Sequence, residues 1–529
     1  MEAFGVFRIP VYNEGTCSGM QRKTRKTCGN MPAFRKESAM NQPNILFLLS
    51  DDQGPWAMHC AGTPELITPN LDRIAAEGIR CDNFFCASPV CSPARASLLT
   101  GRMPSAHGVL DWIRSGNVDA RKFAAQGREN PYGGYADEAE PIAYLEGMPC
   151  YTDMLAEAGY TCALSGKWHL GDSIHPQHGF TSWYTLGKGG CFYNHPDIVE
   201  NGEIRVCHGQ YVTDLITERA CRDLKTLAEG GKPFYLSVHY TAPHSPWEAD
   251  QHPRKWINAY EHCSFDSIPD VPDHPDMTTG PVYGTAMRHV NLRGYFAAIS
   301  AMDEGIGRIL DTLDACGLRE NTLVIFTSDN GMSMGHHGIW GKGNGTFPMN
   351  MYDQAVKVPF LMRYPKGIAE PGRVVHDMIS ACDLFPFFAE LVGGHVPEGL
   401  PGQSFLPVLQ GGHSRRDEIV LYDEYGPVRM IRTMEWKYVH RYPYGPHELY
   451  HLTEDPGEEC NLADDPGFQE RIMDMRAHLE RFFMQYADPE MDGVREGVTG
   501  SGQFCRPGIH ASRPDPYGRV PVTRKELDV

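Results

Sequence analysis

A chain of 529 residues is too long for one ordinary hydrophobic core, so more than one structural unit is expected. Its hydrophobic fraction of 41% and charged fraction of 22% fit a soluble globular protein and exclude a fibrous or wholly disordered one. The formal charge of −19 argues against nucleic acid as a partner, because a phosphate backbone needs a basic face.

Residues 1–39 carry scattered charge and no apolar core segment, so they read as a disordered N-terminal arm, and the fold is expected to begin at Met40. Residues 44–50 (NILFLLS) are continuously apolar and end in Asp51-Asp52, the pattern of a parallel strand buried on both faces. Thr68 as N-cap, Pro69 in the first turn and Gly78 as a stop predict a helix over 70–77. Ser92-Pro93 begins and Gly101 ends a short helix that carries Cys91 at its N-terminus. A helix over 152–158 precedes a strand at 161–165, which leads into Gly166-Lys167-Trp168-His169. A strand at 234–238 leads into Thr241-Ala242-Pro243-His244. Ile299, Met302, Ile306, Ile309 and Leu313 recur with helical period, and a strand at 322–327 ends in Ser328-Asp329-Asn330-Gly331.

This alternation predicts an α/β fold with a large, mostly parallel sheet flanked by helices. Each polar cluster follows a strand, where open α/β sheets place their ligand crevice. Beyond about residue 410, short strands at 418–422, 428–432, 436–440 and 448–451 and a helix over 468–486 predict a smaller antiparallel sheet with one packed helix. The expected organisation is therefore an arm (1–39), a catalytic domain (40–410), a C-terminal subdomain (411–486) and a surface-wrapping tail (487–529).

Cys91 at a helix N-terminus is expected to have a lowered thiol pKa, and Arg95, one turn on, shares its face. Asp51, Asp52, Asp329 and Asn330 offer three carboxylates and an amide oxygen at strand ends. Such an all-oxygen set suits calcium or magnesium rather than zinc. Sixteen scattered cysteines, none spaced C-x-x-C, read as reduced thiols of a cytoplasmic protein. The stretch 341–346 (GKGNGT) lacks the spacing of a phosphate loop.

Cys91-Ser92-Pro93-Ala94-Arg95, followed by Leu99-Thr100-Gly101-Arg102, resembles the C-x-P-x-R and L-T-G-R signature of the type I sulfatases, with Ala94 where serine is commoner. Four further clusters match in order, so the resemblance spans roughly residues 43–460. It implies an alkaline phosphatase-like fold and hydrolysis of a sulfate ester, on a sulfated carbohydrate, through a formylglycine made from Cys91 by a maturation enzyme. It also implies calcium, with magnesium as the alternative, on Asp51, Asp52, Asp329 and Asn330. Lys167 and His169 resemble the pair flanking the formylglycine, His244 the histidine at the ester oxygen, and Lys342 the lysine at the sulfate. Either His244 or Lys342 is the general acid.

His337, in Gly335-His336-His337-Gly338, and Trp112, in the block 111–117, are candidate substrate contacts; Trp183, Tyr184 and Trp247 are further aromatic candidates. The net acidity favours short or terminally sulfated saccharides over long polyanions. No membrane partner is expected. Two alternatives stay open: a phosphonate monoester or phosphodiester hydrolase of the same superfamily, and a non-catalytic binding protein with unmodified Cys91.

Overall fold

Asn44–Ser50 is the central strand of a ten-stranded sheet, and all seven of its residues are buried. Ile45, Phe47 and Leu49 enter one hydrophobic cluster, while Leu46 and Leu48 enter another on the opposite face. A strand covered on both faces gains by apolar residues at every position, hence the unbroken run in the sequence. The computed structural model describes residues 42–119, 137–423 and 428–518, so the arm expected over 1–39 lies outside the described residues.

Five neighbouring strands are parallel: Thr322–Ser328, Asn44–Ser50, Phe234–His239, Thr161–Gly166 and Phe180–Leu186. Their C-terminal ends therefore share one edge of the sheet. On one side Phe360–Arg363 pairs antiparallel and is followed by Ile79–Cys81 and Arg373–Val375, and on the other Asp197–Glu200 and Glu203–Val206 pair antiparallel, so the sheet is parallel at its centre and mixed at its flanks. The helices Val212–Glu229 and Met287–Ala315 cover one face with Ile216, Leu224, Met302 and Ile306. The helices Cys91–Thr100, Tyr151–Glu157 and Leu384–Val392 cover the other.

One expected cap is replaced. The Thr68 side chain makes no cap hydrogen bond to the helix Pro69–Ala76, its hydroxyl accepting instead from the His59 N–H. Asp303, on the long helix Met287–Ala315, reaches across to accept from the Leu71 N–H at 2.8 Å and the Asn70 N–H at 3.1 Å. A carboxylate on a neighbouring helix thus serves the orphan donors.

The strands Ile419–Asp423, Val428–Arg432, Trp436–Arg441 and Glu448–His451 form a separate antiparallel sheet. The helix Gln469–Tyr486 lays Met475, Leu479 and Phe483 in one cluster with Ile431 and Tyr438. After it the chain returns to the main body, where Gln503 is fully buried and pairs through its backbone with Trp112 and Arg114. Among the described residues no helix is long and apolar enough to cross a membrane.

Candidate active site

Cys91 is the first residue of the helix Cys91–Thr100, whose ten residues are all buried, and Gly101 ends it in a left-handed conformation with φ 67°. The helix N-terminus does not lower the thiol pKa as the sequence suggests. Burial and the Asp51 carboxylate push it up to about 12, against the opposing charges of Lys167 and Lys342. Asp51 Oδ1 lies 3.7 Å from the sulfur, while Lys342 Nζ approaches it to 2.9 Å. An anion at Sγ would face carboxylates in a desolvated site, which outweighs the helix dipole.

The ends of the two central parallel strands place Asp51 and Asp52 beside Asp329 and Asn330. Asp51, Asp52 and Asp329 each bring a carboxylate oxygen within 4.8 Å of the others. Asn330 Nδ2 donates to Asp52 Oδ1 at 2.8 Å, but its Oδ1 is buried without a hydrogen-bond partner among the described residues. A buried amide oxygen with no donor, in a group of carboxylates, fits a cation ligand. These residues could hold a metal ion.

Cations already surround the cluster. Arg95 donates to Asp51 Oδ2 and Asp329 Oδ2, each at 2.9 Å, and Lys167 Nζ stands 2.5 Å from Asp51 Oδ2. Burial alone would raise the Asp51 carboxyl, but Lys167 and Arg95 hold it well below the usual carboxylate range. Asp329 goes the other way, to about 6, because burial and the Asp51 charge exceed the help from Arg95. Lys342 Nζ pairs with Asp52 Oδ1 at 2.6 Å, and against burial this attraction keeps it an ammonium.

Lys167 and His169 follow the strand Thr161–Gly166. The Lys167 carbonyl accepts from Arg95 Nη1 and from His239 Nδ1, both at 2.9 Å, so His239 braces the loop from behind. His169 has φ 59° and Asp52 φ 57°, left-handed conformations that side chains rarely adopt and that concentrate at functional sites. His169 Nε2 meets the Ile113 carbonyl at 3.1 Å, and a Cβ on Gly189 would stand only 2.1 Å from that nitrogen. His244 Nε2 stands 3.7 Å from Asp52 Oδ2 with its side chain 27% exposed.

Cys91, Lys167, His169, His244 and Lys342 line one pocket of about 670 Å³, with Trp112, Ile113 and Arg114 in its wall. Trp112 is thus brought to the site; His337 is not. Its ring stacks on Tyr352 at 3.8 Å, outside the pocket lining. Trp183 packs edge-on against Trp168 in the core and Trp247 against Tyr295, so neither borders this pocket. Tyr184 is also buried away from it, under the Arg219 guanidinium. The lining also contains Asp137, Lys188, Gly189, Gly190 and Asn344, which sequence reasoning missed. For Lys188 the signal was present, since it follows the strand Phe180–Leu186 as Lys167 follows its own.

A family model described as Sulfatase matches residues 43–394, and one described as N-sulphoglucosamine sulphohydrolase, C-terminal, matches residues 335–485. The chain is 28% identical to an N-acetylglucosamine-6-O-sulfatase of Bacteroides thetaiotaomicron, over 85% of this chain and 88% of that protein. It is 31% identical to the N-acetylgalactosamine-6-sulfatase of Homo sapiens, over 73% of this chain and 69% of that one. A solved structure described as in complex with its substrate D-glucosamine-2-N,6-O-disulfate superposes with TM-score 0.68 at 25% identity, covering 86% of this chain and all of the other.

Proposed function

This chain belongs to the sulfatase family, and from that premise we propose that it cleaves sulfate esters of saccharides, using a formylglycine made from Cys91 and a calcium ion on Asp51, Asp52, Asp329 and Asn330. One observation carries the reading: Cys91 lies at the floor of a pocket where Lys342 reaches its sulfur at 2.9 Å and Lys167, His169 and His244 share the lining. Three of those groups are the ones a sulfate and its leaving alcohol need, two cations and a proton donor. The saccharide is carried over from the relatives named above. The fourteen free cysteines of the described residues suit a reducing cytoplasm.

A hydrated formylglycine at position 91 would supply one hydroxyl as the nucleophile toward the ester sulfur, with the alcohol as leaving group, and a second hydroxyl whose deprotonation would release sulfate. A cation held by Asp51, Asp52, Asp329 and Asn330 would supply Lewis-acid and charge-neutralising chemistry there. Lys167 and Lys342, held as ammonium groups, bind the sulfate oxygens and oppose the charge that develops on them. Arg95 fixes Asp51 and Asp329 in place. His169 takes the proton of the second hydroxyl. His244 is the better proton donor to the leaving alcohol, because it is partly exposed and can be recharged from solvent, whereas Lys342 is 10% exposed and paired with Asp52.

Mass spectrometry of the peptide containing residue 91, on enzyme that turns over an aryl sulfate, tests the reading. The expected spectrum lacks the sulfur and shows an aldehyde; an intact thiol in active enzyme overturns it. Chelation is expected to abolish turnover and added calcium to restore it. A dominant activity on aryl phosphonate esters would move the chain's substrate class.

A further inference from the structure

The loop that presents His244 is held from beneath by side chains to which the hydrolytic step gives no part. A carbonyl taken out of water needs a hydrogen-bond partner, and outside strands and helices a side chain must supply it. Four consecutive carbonyls of this loop each find one. The Pro243 carbonyl accepts from Trp247 Nε1 at 2.8 Å and the His244 carbonyl from the Tyr193 hydroxyl at 2.7 Å. The Ser245 carbonyl accepts from His244 Nδ1 at 2.7 Å and the Pro246 carbonyl from His252 Nε2 at 3.0 Å.

Those bonds also select a proton. With Nδ1 committed as donor to Ser245, the proton that His244 can pass to the leaving alcohol is the one on Nε2, the atom 3.7 Å from Asp52 Oδ2. Tyr193 is fully buried, its ring stacked on Tyr211 with centroids 5.5 Å apart and met edge-on by the His252 ring at 4.4 Å. His252 is buried too. Because its Nε2 serves a carbonyl, that nitrogen carries the proton, and Nδ1 accepts from the Tyr211 hydroxyl at 3.2 Å. Burial holds the His252 pKa down to about 4, so the ring is neutral at pH 7 and both bonds stand. The loop is thus gripped at His244 by Tyr193 and at Pro246 by the run from Tyr211 through His252.

We propose that Tyr193 and His252 are positioning residues for His244: they fix its loop so that Nε2 faces the oxygen of the leaving alcohol. The proposal rests on the reading of His244 as the proton donor. A general acid works only within hydrogen-bond reach of its oxygen, and a displacement of about 1 Å costs about 10²-fold. The loss falls where the proton matters. A poorly acidic alcohol needs that proton in the transition state, and an acidic phenol does not. A residue that merely stabilised the fold would lower both alike.

The test uses full-length matured enzyme and sulfate esters graded from acidic nitrophenols to a sugar hydroxyl. Tyr193→Phe keeps the stacked ring and removes one hydroxyl. It is expected to lower kcat/KM about 10–10²-fold on the sugar ester and by less than about 3-fold on the nitrophenyl esters. His252→Leu is expected to show the same pattern, and His252→Gln, which keeps a donor for the Pro246 carbonyl, to recover most of the loss. In a His244→Ala background, Tyr193→Phe is expected to cost no more than about 2-fold, because its effect passes through a group already removed. Losses that are absent or equal across the series in Tyr193→Phe and His252→Leu overturn the proposal. So does a Tyr193→Phe effect that persists undiminished beside His244→Ala. If His244→Ala itself loses equally on every ester, the proton-donor reading fails instead. The double-mutant cycle then judges the positioning alone, coupling supporting it and additivity overturning it.

Discussion

His169 Nε2 lies 3.1 Å from the carbonyl oxygen of Ile113, which makes that nitrogen the donor and leaves Nδ1 as the basic atom of the ring. Nδ1 is buried without a hydrogen-bond partner among the described residues. Burial, with the charges of Lys167 and Arg95, holds the imidazole well below its ordinary value, so the ring is neutral and its Nδ1 carries no proton at pH 7. His169→Ala is therefore expected to slow sulfate departure by about 10²–10⁴-fold while the first alcohol is still released. Stopped-flow assay of a chromogenic sulfate should show a burst of alcohol followed by slow turnover. Simple proportional loss of both phases would place His169 outside that step.

His244 and Lys342 differ in exposure and pairing, and the difference is measurable through the leaving group. With His244→Ala, esters of poorly acidic alcohols are expected to lose about 10²–10⁴-fold, and esters of acidic phenols much less, because the phenolate departs without a proton. Lys342→Ala removes charge stabilisation instead, so its loss should be similar across the series. A plot of log kcat/KM against leaving-group pKa separates the two. A steeper slope for Lys342→Ala than for His244→Ala would exchange their roles.

The tail reaches the same site through Gln503, which is fully buried. Its Oε1 accepts from the Leu110 and Asp111 N–H groups at 2.9 and 3.2 Å, and its Nε2 donates to the carbonyls of Gly108 and Cys505 at 2.9 and 3.0 Å. The segment it fixes supplies both the Ile113 carbonyl for His169 and the wall residues Trp112 and Arg114. Gln503→Leu keeps the volume and strips the bonds, and a displacement of about 1 Å in this loop is expected to cost about 10²-fold in kcat/KM. The pH profile of kcat should shift with it, since the His169 partner moves. Unchanged kinetics in a folded Gln503→Leu enzyme would make the tail a cover and nothing more.

The strand ends were legible because a parallel sheet buried on both faces writes itself as apolar runs, and whatever polar residues follow such runs meet at one edge. Asp51, Lys167, His244 and Asp329 all follow such strands and gather at that edge. Lys188 obeys the same rule but follows a strand, Phe180–Leu186, whose sequence FTSWYTL is not continuously apolar. The Cys91 thiol was misjudged because a helix N-terminus is visible in sequence while the Asp51 charge and complete burial are not. Gln503 left no signal at all. Its side chain holds the backbone of a segment almost four hundred residues away, which no periodicity encodes. His337 failed for the opposite reason, a suggestive glycine-flanked motif whose ring is used in stacking on Tyr352.

His107 gives the fold a predictable acid limit. It is 1% exposed at the end of the short helix Pro104–His107, with Nε2 2.9 Å from Ser97 Oγ and Nδ1 accepting from the Val109 N–H at 3.1 Å. Burial and the Arg102 charge push its pKa from 6.5 down to about 3. The unfolded chain therefore binds a proton that the folded ring refuses between those values, so stability is complete above pH 6.5 and declines as pH falls toward 3. At pH 5 this one group is expected to cost about 2 kcal/mol relative to pH 7. His107→Asn keeps an acceptor for Val109 and cannot titrate in this range. Urea unfolding at pH 7 and pH 5 should show the variant less stable at neutral pH but with a smaller loss on acidification. An equal loss in both proteins would assign the acid limit to other buried histidines, of which His252, held near 4 by burial, is the next to substitute.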